Sequence, residues 1–318
     1  MPSQAEIDAA RRVLADLIPR TRLVDAPSLA TASGAPIRLK LEAELPTGSF
    51  KVRGALFALS RHRAERGESI EVVASSTGNH GAAVAYAASA AGVPATIFLP
   101  RSPNPVKRAR IAERGARIIE AGADLAGAAA AAAEYVRAHD AVYLDDVTDP
   151  YVPAGTASIA CEILEQAPDT EAIVVPIGDT ALIRGVAAVA RALKPRIRII
   201  GVQARTAPAY YLSWRTGEVV PTETCDTVAD GLATRTPHAP NVAAIRDLVD
   251  DIVLVSDDEM VRAVRHLLLV EHVVAEPAGA AATAAALGPC ALDGPTALLV
   301  TGANLTPALL RRVAALDD

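Results

Sequence analysis

Pro46-Thr47-Gly48-Ser49-Phe50-Lys51-Val52-Arg53-Gly54-Ala55 is the stretch around which the rest of the chain is organised. A lysine stands in a loop of small residues, beside a phenylalanine, at the start of an apolar helix-like run from Ala55 to Leu59. Only four of the chain's 31 lysines and arginines are lysines: Lys40, Lys51, Lys107 and Lys194. A composition that uses Arg for ordinary surface charge keeps Lys where an amine is needed. Arginine cannot be deprotonated, whereas a lysine in a dry pocket can be, and it then attacks a carbonyl. Read alone, Lys51 is a solvated loop residue; its surroundings change that reading.

Outward from this loop, strands and helices alternate. Ile37–Glu42 reads as the strand entering it. Val72–Ser76, Ala95–Leu99, Ala116–Ile119 and Val142–Asp145 read as short strands, separated by helical runs at His80–Ala91, Pro105–Glu113 and Leu125–His139. In a second series Ala172–Ile177, Ile197–Val202, Ile252–Val255 and Ala297–Val300 read as strands, with helices at Val186–Leu193, Asp257–Leu269 and Ala278–Leu287. Ala5–Leu17 reads as an amphipathic helix, and Gly217–Asp230 and Arg235–Val242 as irregular loops. Such alternation means parallel sheets covered by helices. The fold class is α/β: two open, mostly parallel lobes with a cleft between them, and ligand loops at the C-terminal ends of the strands.

At 318 residues the chain suits two lobes, and 51% apolar residues suffice for a large core, built of Ala, Val, Leu and Ile because aromatics are only 3%. The net charge of −6, with both signs spread along the chain, argues against a nucleic-acid partner. Cys161, Cys225 and Cys290 lie far apart and read as reduced thiols of a cytoplasmic protein, not as a disulfide frame or zinc site. The polar N-terminus carries no secretory signal, and no apolar run reaches membrane-spanning length. The six histidines show no metal-ligand spacing, and Lys40, Lys107 and Lys194 read as structural or solvated.

Three further loops bear on chemistry. Ser75-Ser76-Thr77-Gly78-Asn79-His80-Gly81 links a strand to an Ala-rich helix. Small residues expose backbone amides, a helix start favours an anion, and hydroxyls, an amide and an imidazole add donors for a carboxylate; a well-capped helix start would look the same. Gly178-Asp179-Thr180-Ala181-Leu182-Ile183-Arg184-Gly185 has the setting of a phosphate cradle, without the GxGxxG or Walker A pattern. Asp179 beside a dianion reads as pointing outward and capping the helix, while Thr180 and Ala181 supply donors. Val300-Thr301-Gly302-Ala303-Asn304 places a hydroxyl at a strand end, able to hydrogen-bond a heteroaromatic nitrogen. Each is also readable as an ordinary strand-to-helix turn. Amine, carboxylate loop, phosphate loop and ring-nitrogen hydroxyl together suggest pyridoxal 5′-phosphate held as a Schiff base.

With these residues in view, the sequence resembles the fold-type II pyridoxal-phosphate enzymes (tryptophan synthase β-like), in the threonine/serine dehydratase and serine racemase branch. PTGSFKVRGA, SSTGNHG, AGTASIACEIL, VPIGDTALIRG, ADG (Ala229–Gly231), AEPAGAAA (Ala275–Ala282) and TGAN follow in the family's order over nearly the whole chain. The resemblance implies a Schiff base on Lys51 next to Phe50. It implies a substrate-carboxylate loop of Ser76, Thr77, Asn79 and His80, with Asn79 on the ring 3-hydroxyl. Phosphate contacts would come from Gly178, Asp179, Thr180, Ala181 and Leu182, with Gly231 and Glu276 near the ring and Thr301 on its nitrogen. It also implies a large cofactor domain of residues 1–69 and 148–318, a small mobile domain of 70–147, and a homodimer.

The activity implied is an ammonia-lyase taking a β-hydroxy amino acid, with L-threonine or L-serine first, to a 2-oxo acid and ammonia. 3-Hydroxyaspartate or phenylserine are substrate variants, and an amino-acid racemase or a cofactor-binding protein without turnover are the other readings. Three departures stand out. Asp179-Thr180-Ala181 replace three glycines of the family's tetraglycine loop, and Arg184 close by would offset Asp179 or reach an acidic substrate. Thr77 puts a hydroxyl where racemases of the branch carry serine. Gln203 and Ala209 stand where the family's divalent-cation site has carboxylates, so no metal is expected.

Overall fold

The computed structural model describes residues 1–103 and 105–316. Its strands are β1 (Leu23–Asp25), β2 (Ile37–Leu41), β3 (Glu71–Ser75), β4 (Ala95–Leu99), β5 (Arg117–Glu120), β6 (Ala141–Tyr143), β7 (Ala172–Pro176), β8 (Arg198–Ala204), β9 (Asp251–Val255) and β10 (Thr296–Val300). Its helices are α1 (Gln4–Leu17), α2 (Pro27–Ser33), α3 (Lys51–Arg66), α4 (Asn79–Ala91), α5 (Pro105–Ala112), α6 (Leu125–Ala138), α7 (Val152–Gln166), α8 (Ala181–Leu193), α9 (Ala209–Thr216), α10 (Ala239–Leu248), α11 (Asp257–Leu269), α12 (Pro277–Ala286) and α13 (Pro307–Ala314).

The chain forms two compact units. The first comprises Met1, Pro19–Ser49 and the chain from Ala157 onward; the second comprises Pro2–Ile18 and Phe50–Thr156. Their boundaries fall at 49/50 and 156/157, where the sequence reading divides the chain at 69/70 and 147/148. Residues 50–69 join the second unit because α3 packs on α4 and α1.

The first unit is built on a six-stranded sheet of order β1-β2-β10-β7-β8-β9, parallel except for the β1–β2 pair. Strands β7 and β10 are buried at every residue, as parallel strands covered on both faces must be. Helix α12 is buried from end to end. Its Ala and Gly side chains let it lie against β7, β8, β9 and β10 while α11 packs on its other side.

The second unit holds a four-stranded parallel sheet, β5-β4-β3-β6. Helix α1 opens with a capping box between Ser3 and Glu6, and its Ile7, Ala10 and Leu14 recur at helical spacing on the buried side. Ala10 packs with Phe57 and Ala154. Helix α3 and the start of α7 approach closely: a Cβ on Gly155 would lie 2.4 Å from the Arg53 carbonyl oxygen, and one on Gly54 2.7 Å from the Val152 Cγ1 methyl and 3.3 Å from its carbonyl oxygen. The glycines of the KVRGA and AGTAS motifs are required by that contact.

The β/α alternation read from the sequence is present, with three corrections. Helix α8 begins at Ala181 and not at Val186, because Gly185 is a buried interior helix residue and not a loop end. Arg235–Val242 is not wholly irregular, since α10 starts at Ala239 with Pro240 in its first turn. Helices α2, α7, α9 and α13 and strand β1 were absent from the sequence reading. Helices α2 and α13 open on a proline and α10 carries one at its second position; proline breaks helix interiors but suits first turns, where its missing N–H costs nothing. No helix of the described residues is long and apolar enough to cross a membrane. The side chain of Lys107 lies outside the described residues.

Candidate active site

In the second unit, Lys51 is the first residue of α3, after the uncapped N-cap residue Phe50, whose ring centroid lies 5.4 Å from Lys51 Nζ. The lysine is largely buried, and Nζ donates a hydrogen bond to Asp146 Oδ2. The same oxygen lies 3.4 Å from His80 Nδ1. His80, second residue of α4, donates from Nε2 to the Leu144 carbonyl at 2.9 Å, which fixes its tautomer and leaves Nδ1 toward Asp146.

Two side chains, from α3 and α4, thus meet at one carboxylate oxygen of a third. Both stand at helix N-termini, where a negative charge is favoured. Asp146 is the residue the sequence reading did not single out. It sits in Asp145-Asp146-Val147-Thr148-Asp149, a polar turn after β6.

That turn is pinned on both sides of Asp146. Asp145 accepts from the Val147 N–H and from the Thr148 hydroxyl. Asp149 accepts from His62 Nε2 at 2.7 Å and from the Tyr151 N–H at 2.8 Å. Burial, reinforced by Asp145 and Asp146, pushes the neighbouring Tyr143 hydroxyl up to about 12. Ser76, Thr77 and Gly78 form the turn from β3 into α4, where Ser76 Oγ accepts from the Gly78 N–H at 3.2 Å. Asn79 opens α4. Ser75 Oγ is buried without a hydrogen-bond partner.

In the first unit, the residues preceding the lysine are tied to the end of β10. Ser49 bridges Gly302, the Ala303 N–H donates to the Gly48 carbonyl at 2.9 Å, and Asn304 Nδ2 donates to the Thr47 carbonyl at 3.0 Å. Gly48 has φ +68, and a Cβ there would meet Asn304 Oδ1 at 2.9 Å, so only glycine fits. Thr301, buried, directs its hydroxyl to the Ala278 carbonyl at 3.5 Å. Glu276 is the N-cap residue of α12 and its N–H donates to the Gly302 carbonyl.

The loop from β7 into α8 is in the same unit. Gly178 runs so close to Gly231 that a Cβ would lie 2.1 Å from the Gly231 carbonyl oxygen. Thr180, the N-cap residue, is left-handed at φ +76 and provides no side-chain cap at the positive end of α8, where an anion is favoured. Asp179 Oδ1 accepts from the Ala181 N–H at 3.3 Å, so that donor is shared. Arg184 Nε donates to Thr180 Oγ1 at 3.1 Å. Burial draws the Arg184 guanidinium below its ordinary value, while Asp179 and Tyr210 pull the other way. Asn241 and Tyr210, which the sequence reading missed, complete this polar cluster: Asn241 Nδ2 donates to the Asp179 carbonyl at 3.4 Å. Their only sequence signal was a polar residue within an otherwise apolar helix start.

Leu182 is buried behind the loop. Gln203 is fully buried; its side-chain oxygen accepts from the Tyr211 N–H at 2.8 Å, and its Nε2 has no partner. Ala209 is buried at the start of α9.

Taken unit by unit, the residues suit pyridoxal phosphate: the second unit carries a largely buried amine at one helix start and polar side chains at another, and the first carries a glycine-containing loop at a helix N-terminus and a buried hydroxyl at a strand end. Comparisons with known proteins agree. The chain is 36% identical to the L-threonine ammonia-lyase of Thermotoga maritima over 309 residues, 97% of this chain and 77% of that one. It is 32% identical to a serine racemase of Oryza sativa subsp. indica, over 89% of this chain and 84% of that protein. The fold is that of the maize serine racemase structure, with a TM-score of 0.90 and 30% identity, covering 98% of this chain and 96% of the other. Residues 14–302 match the family described as pyridoxal-phosphate dependent enzyme, and the chain belongs to that family.

Proposed function

We propose that this protein is an ammonia-lyase that converts a β-hydroxy amino acid, L-threonine or L-serine first, to a 2-oxo acid and ammonia. The observation that carries the reading is Lys51, a largely buried amine opening α3 in a chain 36% identical to a protein named L-threonine ammonia-lyase. Pyridoxal phosphate, when bound, supplies the electron sink that makes the Cα proton of an amino acid removable.

On this reading Lys51 carries the cofactor, and the freed amine takes the Cα proton as general base. Backbone amides of Gly178–Leu182 hold the phosphate at the positive end of α8, assisted by the open geometry at Thr180. Gly231 and Glu276 flank the ring, and Thr301 provides a neutral hydroxyl for its nitrogen. Ser76, Thr77 and Asn79, with the backbone of His80 rather than its imidazole, which faces Leu144 and Asp146, hold the substrate carboxylate, which the N-terminus of α4 also favours. The β-hydroxyl leaves as water, and hydrolysis of the eliminated product gives the 2-oxo acid and ammonia. The same reading takes residues 1–69 and 148–318 as the large domain and 70–147 as the small one, and has the protein act as a homodimer in the cytoplasm.

A second reading, racemisation, is supported by the Thr77 hydroxyl in the carboxylate loop and by the likeness to proteins named serine racemase. The experiment is a panel of L- and D-serine, L- and D-threonine, threo-3-hydroxyaspartate and phenylserine with the cofactor-loaded protein. 2-Oxo acid, ammonia and enantiomer ratio are measured in the same samples. Equimolar oxo acid and ammonia from one β-hydroxy amino acid is expected. Enantiomer interconversion without ammonia release would replace the lyase by a racemase.

A further inference from the structure

We propose that Asp146 is a positioning residue for the Lys51 amine, orienting Nζ through its Oδ2 and linking it to His80. The inference rests on the reading of Lys51 as the cofactor-bearing lysine. Its geometry lies within the second unit: one oxygen accepts from Lys51 Nζ and lies 3.4 Å from His80 Nδ1. The His80 ring is fixed by its Nε2–H bond to the Leu144 carbonyl, so Nδ1 is the nitrogen left to take a proton.

A lysine used as a base must point its lone pair at one substrate hydrogen. A free ammonium or amine on four methylenes explores many rotamers, and fixing it is worth orders of magnitude in rate. Asp146 removes that freedom whenever Nζ is not bound to the cofactor. It also offers an exit. A proton taken from Cα by Nζ has Asp146 Oδ2 as its hydrogen-bond acceptor and His80 Nδ1 as the next one, so it leaves the amine without a water beside the reacting carbon.

The carboxylate is itself well held, because Asp145 and Asp149 pin its loop and it faces the N-termini of α3 and α4. The charged and titratable groups around it include Lys51 of α3, His80 of α4, and Tyr143 and Asp145 of its own segment.

The test uses Asp146→Asn and Asp146→Ala, both loaded with pyridoxal phosphate. Both variants keep the Asp145 and Asp149 bonds that pin the loop, and folding is checked by circular dichroism; one folded variant suffices. Borohydride reduction followed by peptide mapping locates the cofactor, the pH dependence of its visible absorption is titrated, and kcat and KM are measured across pH.

The expected result is cofactor still on Lys51, a displaced pH titration of the absorption, and kcat lower by about tenfold to a hundredfold with KM little changed. Asp146→Glu is expected to recover part of the loss. Cofactor on Lys51 with the titration and kcat of the parent protein would overturn the role of Asp146. Cofactor found on another residue in the parent protein would overturn the reading of Lys51 itself, a distinct outcome.

Discussion

Gly178 and Gly231 pass within backbone contact: a Cβ placed on Gly178 would stand 2.1 Å from the Gly231 carbonyl oxygen. This contact fixes the path of the loop from β7 into α8 and so the direction of its amides. Gly178→Ala must push backbone, not a flexible side chain, and overpacking of this kind costs about 1–3 kcal/mol or more. A lower thermal midpoint and at least tenfold weaker cofactor binding are expected, measured by fluorescence titration with pyridoxal phosphate. Unchanged affinity would remove this loop from the cofactor site.

Thr180 holds φ +76, a conformation that costs a β-branched residue about 1–2 kcal/mol. Thr180→Gly and Thr180→Ala both lose the hydroxyl that accepts from Arg184, so their difference isolates the backbone. The glycine variant is expected to be more stable than the alanine variant by about 1 kcal/mol in urea unfolding. The opposite order would mean that the loop is not left-handed there.

Substitution of Thr77 tests racemisation against elimination. If its hydroxyl serves as the second acid/base, Thr77→Ala abolishes enantiomer interconversion and leaves ammonia release within a few-fold of the parent, read by chiral chromatography beside an ammonia assay. Loss of both activities, or of neither, would remove that role.

Burial raises the Cys290 thiol to about 11 from an ordinary 9.0, and the Tyr143 hydroxyl to about 12 from 10.0. In both cases the folded chain keeps a proton that the unfolded chain releases. Their contribution to stability is therefore intact below about pH 9 and is lost as pH rises through 11 to 12. Falling urea midpoints across that window are expected. At pH 8, Cys225, half-buried, should react with a thiol reagent well before buried Cys290.

The motifs that position the site were legible because each is a constraint on backbone. Gly155 and Gly178 stand against backbone oxygens, Gly48 holds φ +68 and Gly54 lies against Val152, and such positions show in sequence as glycines among small residues. Lys51 was legible by its rarity and its loop. Asp146 was not: in a stretch with three aspartates among five residues it reads as a solvated turn. Only the pairing of β6 with β3, which carries the following turn to the starts of α3 and α4, gives it a partner. The left-handed Thr180 was illegible for the opposite reason, since a β-branched residue is the last choice at that φ. The early start of α8 was hidden by Gly185, a helix-interior glycine that looks like a stop.

The most direct measurement compares the parent protein with Lys51→Ala, each supplied with pyridoxal phosphate and L-threonine or L-serine. Lactate-dehydrogenase-coupled detection follows the 2-oxo acid, and ammonia is assayed in parallel. Equimolar oxo acid and ammonia from the parent, and none above background from Lys51→Ala, is the expected result. Undiminished release by Lys51→Ala, or no release from either substrate by parent protein shown to hold the cofactor, would contradict it.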